Sequence, residues 1–389
     1  MAFTTLSLYM LAASAAEAPI LQVIARASTG YIHGRINSDY SNVREFLNVP
    51  YGQLTAGSNR FMPPLPVPAS SLHVDATDYA PMCPQYVTAD ATAASHLPVA
   101  FFITGGGFET NGILVPGQLP PRWVSRSQSH VVGTIKYRMN ILGFPNAAGI
   151  EERNLGIMDS RLALEWVRDN IGYLPRYQDN STLLNKTQPH LSFSIVSDEK
   201  IVFSNNSERY LMGKVTKAPM IYSTVANEGG SLAPFPADPS AGQNQTAANA
   251  VTINTLCGAA KSSILRNSID LPTYRYQYAG NWTNQDPLPW MGAFHSSDLV
   301  MLFGTYADNA PAVEPLEGQT SEAMEDRLLA FVRDPWNGPA TVGWPRFNTS
   351  AENGGTLLRF GADGKAVQEV DANDVQAVCT GAGDYEPFP

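Results

Sequence analysis

The sequence is poor in charge: Asp, Glu, Lys and Arg make up only 15% of its 389 residues, against 44% hydrophobic. That balance leaves ample apolar material for a large core. Lys/Arg clusters are absent, and the net charge of −10 with a pI near 5.1 gives a field that repels phosphate backbones. A nucleic-acid partner is therefore not expected. No run reaches the roughly 18 to 20 apolar residues needed to cross a bilayer, so no transmembrane segment is expected, and no apolar C-terminal stretch suits a lipid anchor. Repeats and low-complexity blocks are missing too. Gly and Pro are scattered rather than gathered in a linker, which predicts a single domain over 19–389. Cysteine is scarce and odd in number: Cys83, Cys257 and Cys379. An odd count implies a free thiol or a lost partner, unless all three are reduced and buried.

The N-terminus reads MAFTTLSLYMLAASAAEAP. The short apolar stretch Leu6 to Leu11, followed by Ala13-Ser14-Ala15, predicts a cleaved leader over residues 1–18. No Lys or Arg precedes it, and the other reading is a buried N-terminal segment. Six N-x-S/T sequons, at Asn180, Asn185, Asn205, Asn244, Asn281 and Asn348, fit a secreted, extracellular glycoprotein.

Residues 30–86 read as short strands and turns, with Pro63, Pro64, Pro66 and Pro68 in an extended irregular stretch. Two apolar runs, Pro98–Ile103 and His130–Tyr137, suit strands covered on both sides, and the first ends at Gly105-Gly106-Gly107. The clearest helix is predicted over Asn154–Ile171. There Leu162, Ala163, Trp166, Val167 and Ile171 share a stripe, and Asp159 is placed to cap. Further strands are predicted at Ala218–Thr224, leading into Asn227-Glu228-Gly229-Gly230, and at Thr273–Tyr278, followed by a loop to His295. Helix follows strand at least twice, which predicts an α/β fold with a parallel sheet. Residues 172–198 differ: they are polar, hold two sequons, Pro175 and Pro189, and show no period.

FLNVPY at 46–51, RFMPP at 60–64 and ATDYAPMCPQ at 76–85 resemble the opening of type-B carboxylesterases, a group that includes cholinesterases and fungal lipases. PVAFFITGGGF (98–108), IKYRMNILGFP (135–145), NLGIMDSRLALEWVRDNI (154–171), PMIYSTVANEGGSL (219–232) and WMGAFHSSDLVMLFG (290–304) then follow in the family's order, with Cys379 near the end. The resemblance covers roughly 28–380. It implies an α/β-hydrolase fold, a mostly parallel central sheet with helices on both faces, acting on small-molecule or lipid carboxylic esters without cofactor or metal.

By this resemblance Glu228 matches the acid that orients the base, and His295 matches the histidine base, whose unperturbed pKa near 6.5 suits general-base work. Read without it, each is an ordinary loop residue. Gly105, Gly106 and Gly107 match the oxyanion loop, where missing Cβ atoms let backbone N–H groups approach a developing alkoxide; otherwise they read as a tight turn. The family usually has His where this chain has Thr104. Cys257 and Cys379 resemble the family's C-terminal disulfide. The remaining histidines, His33, His73, His96, His130 and His190, form no pair at metal-ligand spacing, which argues against zinc hydrolase chemistry.

The nucleophile is missing. In the family the helix ending W-V-x-x-N-I is followed by a strand and a G-x-S-x-G elbow. Here Ile171 runs into GYLPRYQDNSTLLNKTQPHLSF, and no G-x-S-x-G occurs anywhere in the chain. Ser160, Ser181 and Ser197 lie in a helix start, a sequon and a polar loop. A second gap follows Cys83, whose family partner lies in an absent E-D-C-L-x-L-N block, so Cys83 is expected to be an orphan. The expected architecture is therefore incomplete, with a deletion near 172–198. Three readings follow: an active secreted serine esterase, a non-catalytic cholinesterase-like binding protein, or a truncated or mis-spliced product.

Overall fold

A computed structural model of the chain describes residues 5–11, 23–77, 98–110, 112–113, 115, 117–146, 149–170, 195–308 and 314–389. Cys83 and most of 172–198 lie outside the described residues. The chain forms two compact units, residues 1–204 and 205–389.

The first unit carries strands β1 (Thr5–Leu11), β2 (Val23–Ala27), β3 (Gly30–Ile36), β4 (Val43–Pro50), β5 (His73–Asp75), β6 (Val99–Ile103) and β7 (Val131–Lys136). They form one sheet in the order β2-β3-β4-β1-β7-β6, with β5 beside β3. β6 and β7 run parallel, while β1 lies antiparallel between β4 and β7. The segment expected as a leader thus contains a paired strand. Its helices are α1 (Pro121–Ser127), α2 (Asn140–Gly143) and α3 (Leu155–Asn170). The stripe on α3 buries Ala163, Trp166 and Val167 against Ile32, Phe46, Val49, Ile135 and Phe144. That burial, rather than intrinsic propensity, holds the helix.

Asp159 does not cap α3. It lies inside the helix, fully buried, where Arg138 Nε and Nη2 each donate to it at 2.7 Å and the Arg138 N–H adds a third bond at 2.9 Å. The charge at the end of β7 claims the carboxylate more strongly than the helix terminus does. Arg138 Nη1 also donates to the Met62 carbonyl, so the pair ties the proline-rich loop to the sheet.

The second unit holds β8 (Met220–Val225), β9 (Thr273–Tyr278), β10 (Thr356–Ala362) and β11 (Lys365–Asp371) in the order β11-β10-β9-β8. β8, β9 and β10 are parallel; β10 and β11 form a hairpin turned at Asp363-Gly364, both at positive φ. Its helices are α4 (Asn206–Leu211), α5 (Gly229–Leu232), α6 (Gln245–Asn267), α7 (Ser297–Leu302), α8 (Pro315–Arg333), α9 (Gly338–Thr341) and α10 (Ala372–Gln376). Tyr274, Tyr278, Leu358 and Phe360 pack with Met301 and Met324 on one face, and Leu357 packs with Leu256 of α6 on the other. Successive side chains on β10 thus serve opposite layers, as a sheet covered on both faces requires. A disulfide between Cys257 and Cys379 joins α6 to the C-terminal turn across 122 residues.

β7 is buried along its whole length, but β6 and β8 are not. Among the described residues β6 pairs only with β7 and β8 only with β9. Ile103 is 45% exposed and Met220 38% exposed. Two stability predictions follow from the unit cores. Asp159→Asn strands the buried Arg138 charge and is expected to cost about 3 to 5 kcal/mol, read as a lower urea midpoint at constant m-value. Cys257→Ser with Cys379→Ser is expected to cost about 5 kcal/mol in the chain-entropy view, with no further loss when reductant is added.

Candidate active site

β8 ends at Val225 and the chain turns through Ala226-Asn227-Glu228 into α5. The turn is held from several sides: the Asn227 N–H donates to the Ala293 carbonyl at 2.8 Å, Asn227 Nδ2 to the Met291 carbonyl at 2.8 Å, and the Gly229 N–H to Thr252 Oγ1 at 3.0 Å. The two glycines are required by close approach. A Cβ on Gly229 would overlap the Ala248 backbone of α6, and one on Gly230 would come within 2.8 Å of the Met291 carbonyl oxygen. α5 therefore seats against α6, and the Glu228 side chain is fixed, 6% exposed.

His295 follows β9 on the loop before α7. Its Nδ1 lies 2.6 Å from Glu228 Oε2. A carboxylate facing Nδ1 favours the tautomer with the proton there, leaving Nε2 as the proton acceptor. The imidazole side chain is half exposed, and Nε2 makes no hydrogen bond among the described residues. The bond to Glu228 raises the His295 pKa above its ordinary value, while burial pulls it down. Glu228 Oε1 accepts from the Val225 N–H at 3.2 Å.

Several residues here were not singled out from the sequence. Asp298, in the first turn of α7, is buried, and burial pushes its carboxyl up to about 6 although the Tyr276 hydroxyl donates to it at 2.9 Å. Ser296, directly after His295, takes φ +73, an uncommon conformation for a residue with a side chain. Asp298 and Ser296 lie within the quoted F-H-S-S-D string, but burial and backbone handedness leave no local signature in it.

The glycine loop belongs to the first unit and follows β6. Gly106 and Gly107 have φ of +128 and +62, which favours glycine at both positions. The Gly106 carbonyl accepts from the Glu109 and Thr110 N–H groups at 3.1 Å, closing the turn, while the Gly105, Gly106 and Gly107 N–H groups donate to no described residue. Thr104 is buried and its carbonyl accepts from the Tyr137 hydroxyl at 3.1 Å. The structure thus joins Glu228 to His295, and within the first unit the glycine N–H groups donate to no described residue. Ser160 Oγ donates to the Gly156 carbonyl inside α3, Ser197 is exposed in a loop, and Ser181 lies outside the described residues. Among the described residues no group of three His, Cys, Asp or Glu side chains forms a metal cage.

The Glu228–His295 bond gives a titration test. A raised folded-state pKa contributes stability that is fully present below the unfolded value of 6.5 and is lost as pH rises through the folded value. In Glu228→Gln the His295 resonance is expected to titrate at lower pH than in the parent; an unmoved midpoint would sink the assignment. Gly229→Ala is expected to cost about 1 to 3 kcal/mol through overpacking against α6, and to move the same midpoint.

The Carboxylesterase family profile matches residues 22–96 and 86–174. The chain is 27% identical to secreted lipase 5 of Gibberella zeae, over 92% of this chain and 93% of that protein. It is 28% identical to chlorogenic acid esterase of Aspergillus niger, over 92% and 94%. The fold matches the crystal structure of a Geobacillus stearothermophilus carboxylesterase with a TM-score of 0.72 and 17% identity, over 92% of this chain and all of that one. The Gibberella zeae alignment runs over 502 positions, whereas 92% of 389 residues is about 358, so about 144 aligned positions have no residue here. No helix among the described residues is long and apolar enough to cross a membrane. Motif order, fold and relatives agree: this chain has an α/β-hydrolase fold and is similar to the carboxylesterase family, whose profile it matches over residues 22–174.

Proposed function

We propose that the protein is a secreted carboxylic-ester hydrolase by descent, of the serine esterase and lipase type, whose own turnover is impaired because its serine is gone. The observation that carries this reading is the Glu228–His295 hydrogen bond of 2.6 Å in a chain with no G-x-S-x-G. In the complete reaction, a serine hydroxyl attacks the ester carbonyl while His295 Nε2 takes its proton. Glu228 stabilises the resulting imidazolium, the N–H groups of Gly105–Gly107 bind the oxyanion, and the imidazolium returns the proton to the leaving alcohol. The names of the relatives support small-molecule or lipid esters as the substrate class.

Removing the nucleophile alone lowers the turnover of such a triad by roughly 10⁶-fold. The purified chain is therefore expected to show no turnover of p-nitrophenyl butyrate above background, and no labelling by a serine-directed phosphonate. Labelling at one serine with matching turnover would overturn the proposal. The unaligned positions and the one-sided pairing of β6 and β8 among the described residues favour loss of a segment near 172–198 over a replaced serine. Sequencing the transcript across codons 171–198 tests that loss. A recovered elbow restores the active-esterase reading, and a confirmed junction leaves a truncated product or a binding protein.

Secretion is supported by the sequons. Asn205, Asn244, Asn281 and Asn348 are exposed, while Asn180 and Asn185 lie outside the described residues. Asn205 and Asn244 cap α4 and α6 through Oδ1, so a glycan on Nδ2 leaves both caps intact. Expression in a secreting eukaryotic host is expected to give a mature chain starting near Pro19, in which removal of β1 leaves β7 paired, among the described residues, with β6 alone, and that loses mass on glycosidase treatment. A chain retaining Met1 and lacking glycans would overturn this.

A further inference from the structure

The fold brings together two histidines that sequence spacing left apart. His33 on β3 and His73 on β5 are 40 residues apart in sequence, and β3 and β5 run parallel with Tyr31 opposite His73 and His33 opposite Asp75. Ile32 and Val74, the residues between, turn into the core, so Tyr31, His33, His73 and Asp75 share the outer face. His33 Nε2 lies 2.5 Å from His73 Nδ1, with ring centroids 4.8 Å apart and planes at 38°. Tyr31 stacks on His73 at 5.1 Å and 20°, which fixes that ring from its flat side. Both Thr77 bonds to Asp75 fall on Oδ1, and Oδ2 makes none among the described residues.

Two imidazoles meeting nitrogen to nitrogen have two lone pairs and room for one proton between them. A divalent first-row cation in place of that proton satisfies both nitrogens at once. Imidazole–zinc bonds of about 2.0 to 2.1 Å require the two nitrogens to part by about 1 Å. Side chains on an exposed face can yield that much. We propose that His33 Nε2 and His73 Nδ1 form a two-histidine surface site for Zn²⁺ or Cu²⁺, completed by water, that clips the short edge strand β5 to β3. Binding releases the shared proton when the pair holds an extra one, and no electron transfer is involved.

The test uses the untagged, metal-stripped full chain titrated with ZnCl₂ and, separately, CuSO₄. Calorimetry reads stoichiometry and affinity, and thermal unfolding reads stabilisation. One ion per chain is expected, bound at least about tenfold more weakly by His33→Gln and by His73→Gln. His190→Gln and His295→Gln are expected to leave affinity unchanged. No binding by the parent overturns the site. So does a loss spread equally over all four variants, the result that an unfolded chain with scattered histidines would also give.

Discussion

A parallel sheet covered by helices on both faces offers its backbone no water, so every strand inside it must be paired along both edges. β7 meets that demand; β6 and β8 each have a partner on one side among the described residues. Both strands are apolar enough for full burial, yet β6 is half-buried and β8 is exposed at its start. The family's missing strand falls, in sequence, after α3 and before β8, and the serine elbow is its continuation. The proposed deletion therefore removes a structural element and a catalytic one in a single event. Each backbone group left unpaired in a core costs about 1 to 3 kcal/mol, against a typical total stability of about 5 to 15 kcal/mol.

Among the described residues, the contacts that hold Glu228 and His295 lie in residues 205–389. β8 and β9 set the two loops, Asn227 ties one to the other through Ala293 and Met291, and α6 presses on Gly229. α6 is itself pinned by Cys257–Cys379. None of these contacts passes through the stretch after α3. On the proposed reading, the Glu228–His295 pair stays assembled without a nucleophile, and its geometry says nothing by itself about turnover.

Legibility in the sequence followed the range of the interactions. The strands at Val99–Ile103, Val131–Lys136, Met220–Val225 and Thr273–Tyr278, and the helix at Leu155–Asn170, fall within a residue or two of their predicted bounds. Each is written in a local run or a local stripe. Asp159 was misplaced because its partner, Arg138, sits 21 residues away on another element. His33 and His73 carry no spacing signal at all, since only the parallel pairing of β3 with β5 makes them neighbours. Asp298 follows His295 by three residues, yet its burial and its bond from Tyr276 depend on the packing of α7 against β9. The run Leu6 to Leu11 shows the opposite limit: leader and strand draw on the same short apolar pattern, so sequence alone supports both.

On the proposed reading, water at His295 would not replace the serine. The imidazole is half exposed and can take a proton from a water molecule, but general-base help is only one part of the barrier. Holding the nucleophile against the acyl carbon contributes about 7 to 11 kcal/mol in well-aligned cases, and a diffusing water brings none of that alignment. The elbow also supplies the N–H after the serine to the oxyanion, and one such donor is worth about 3 to 4 kcal/mol. The proposed loss of the segment would remove position and charge stabilisation together. On the proposed reading, Glu228 and His295 keep the part of the machinery that moves protons, without the part that makes the bond.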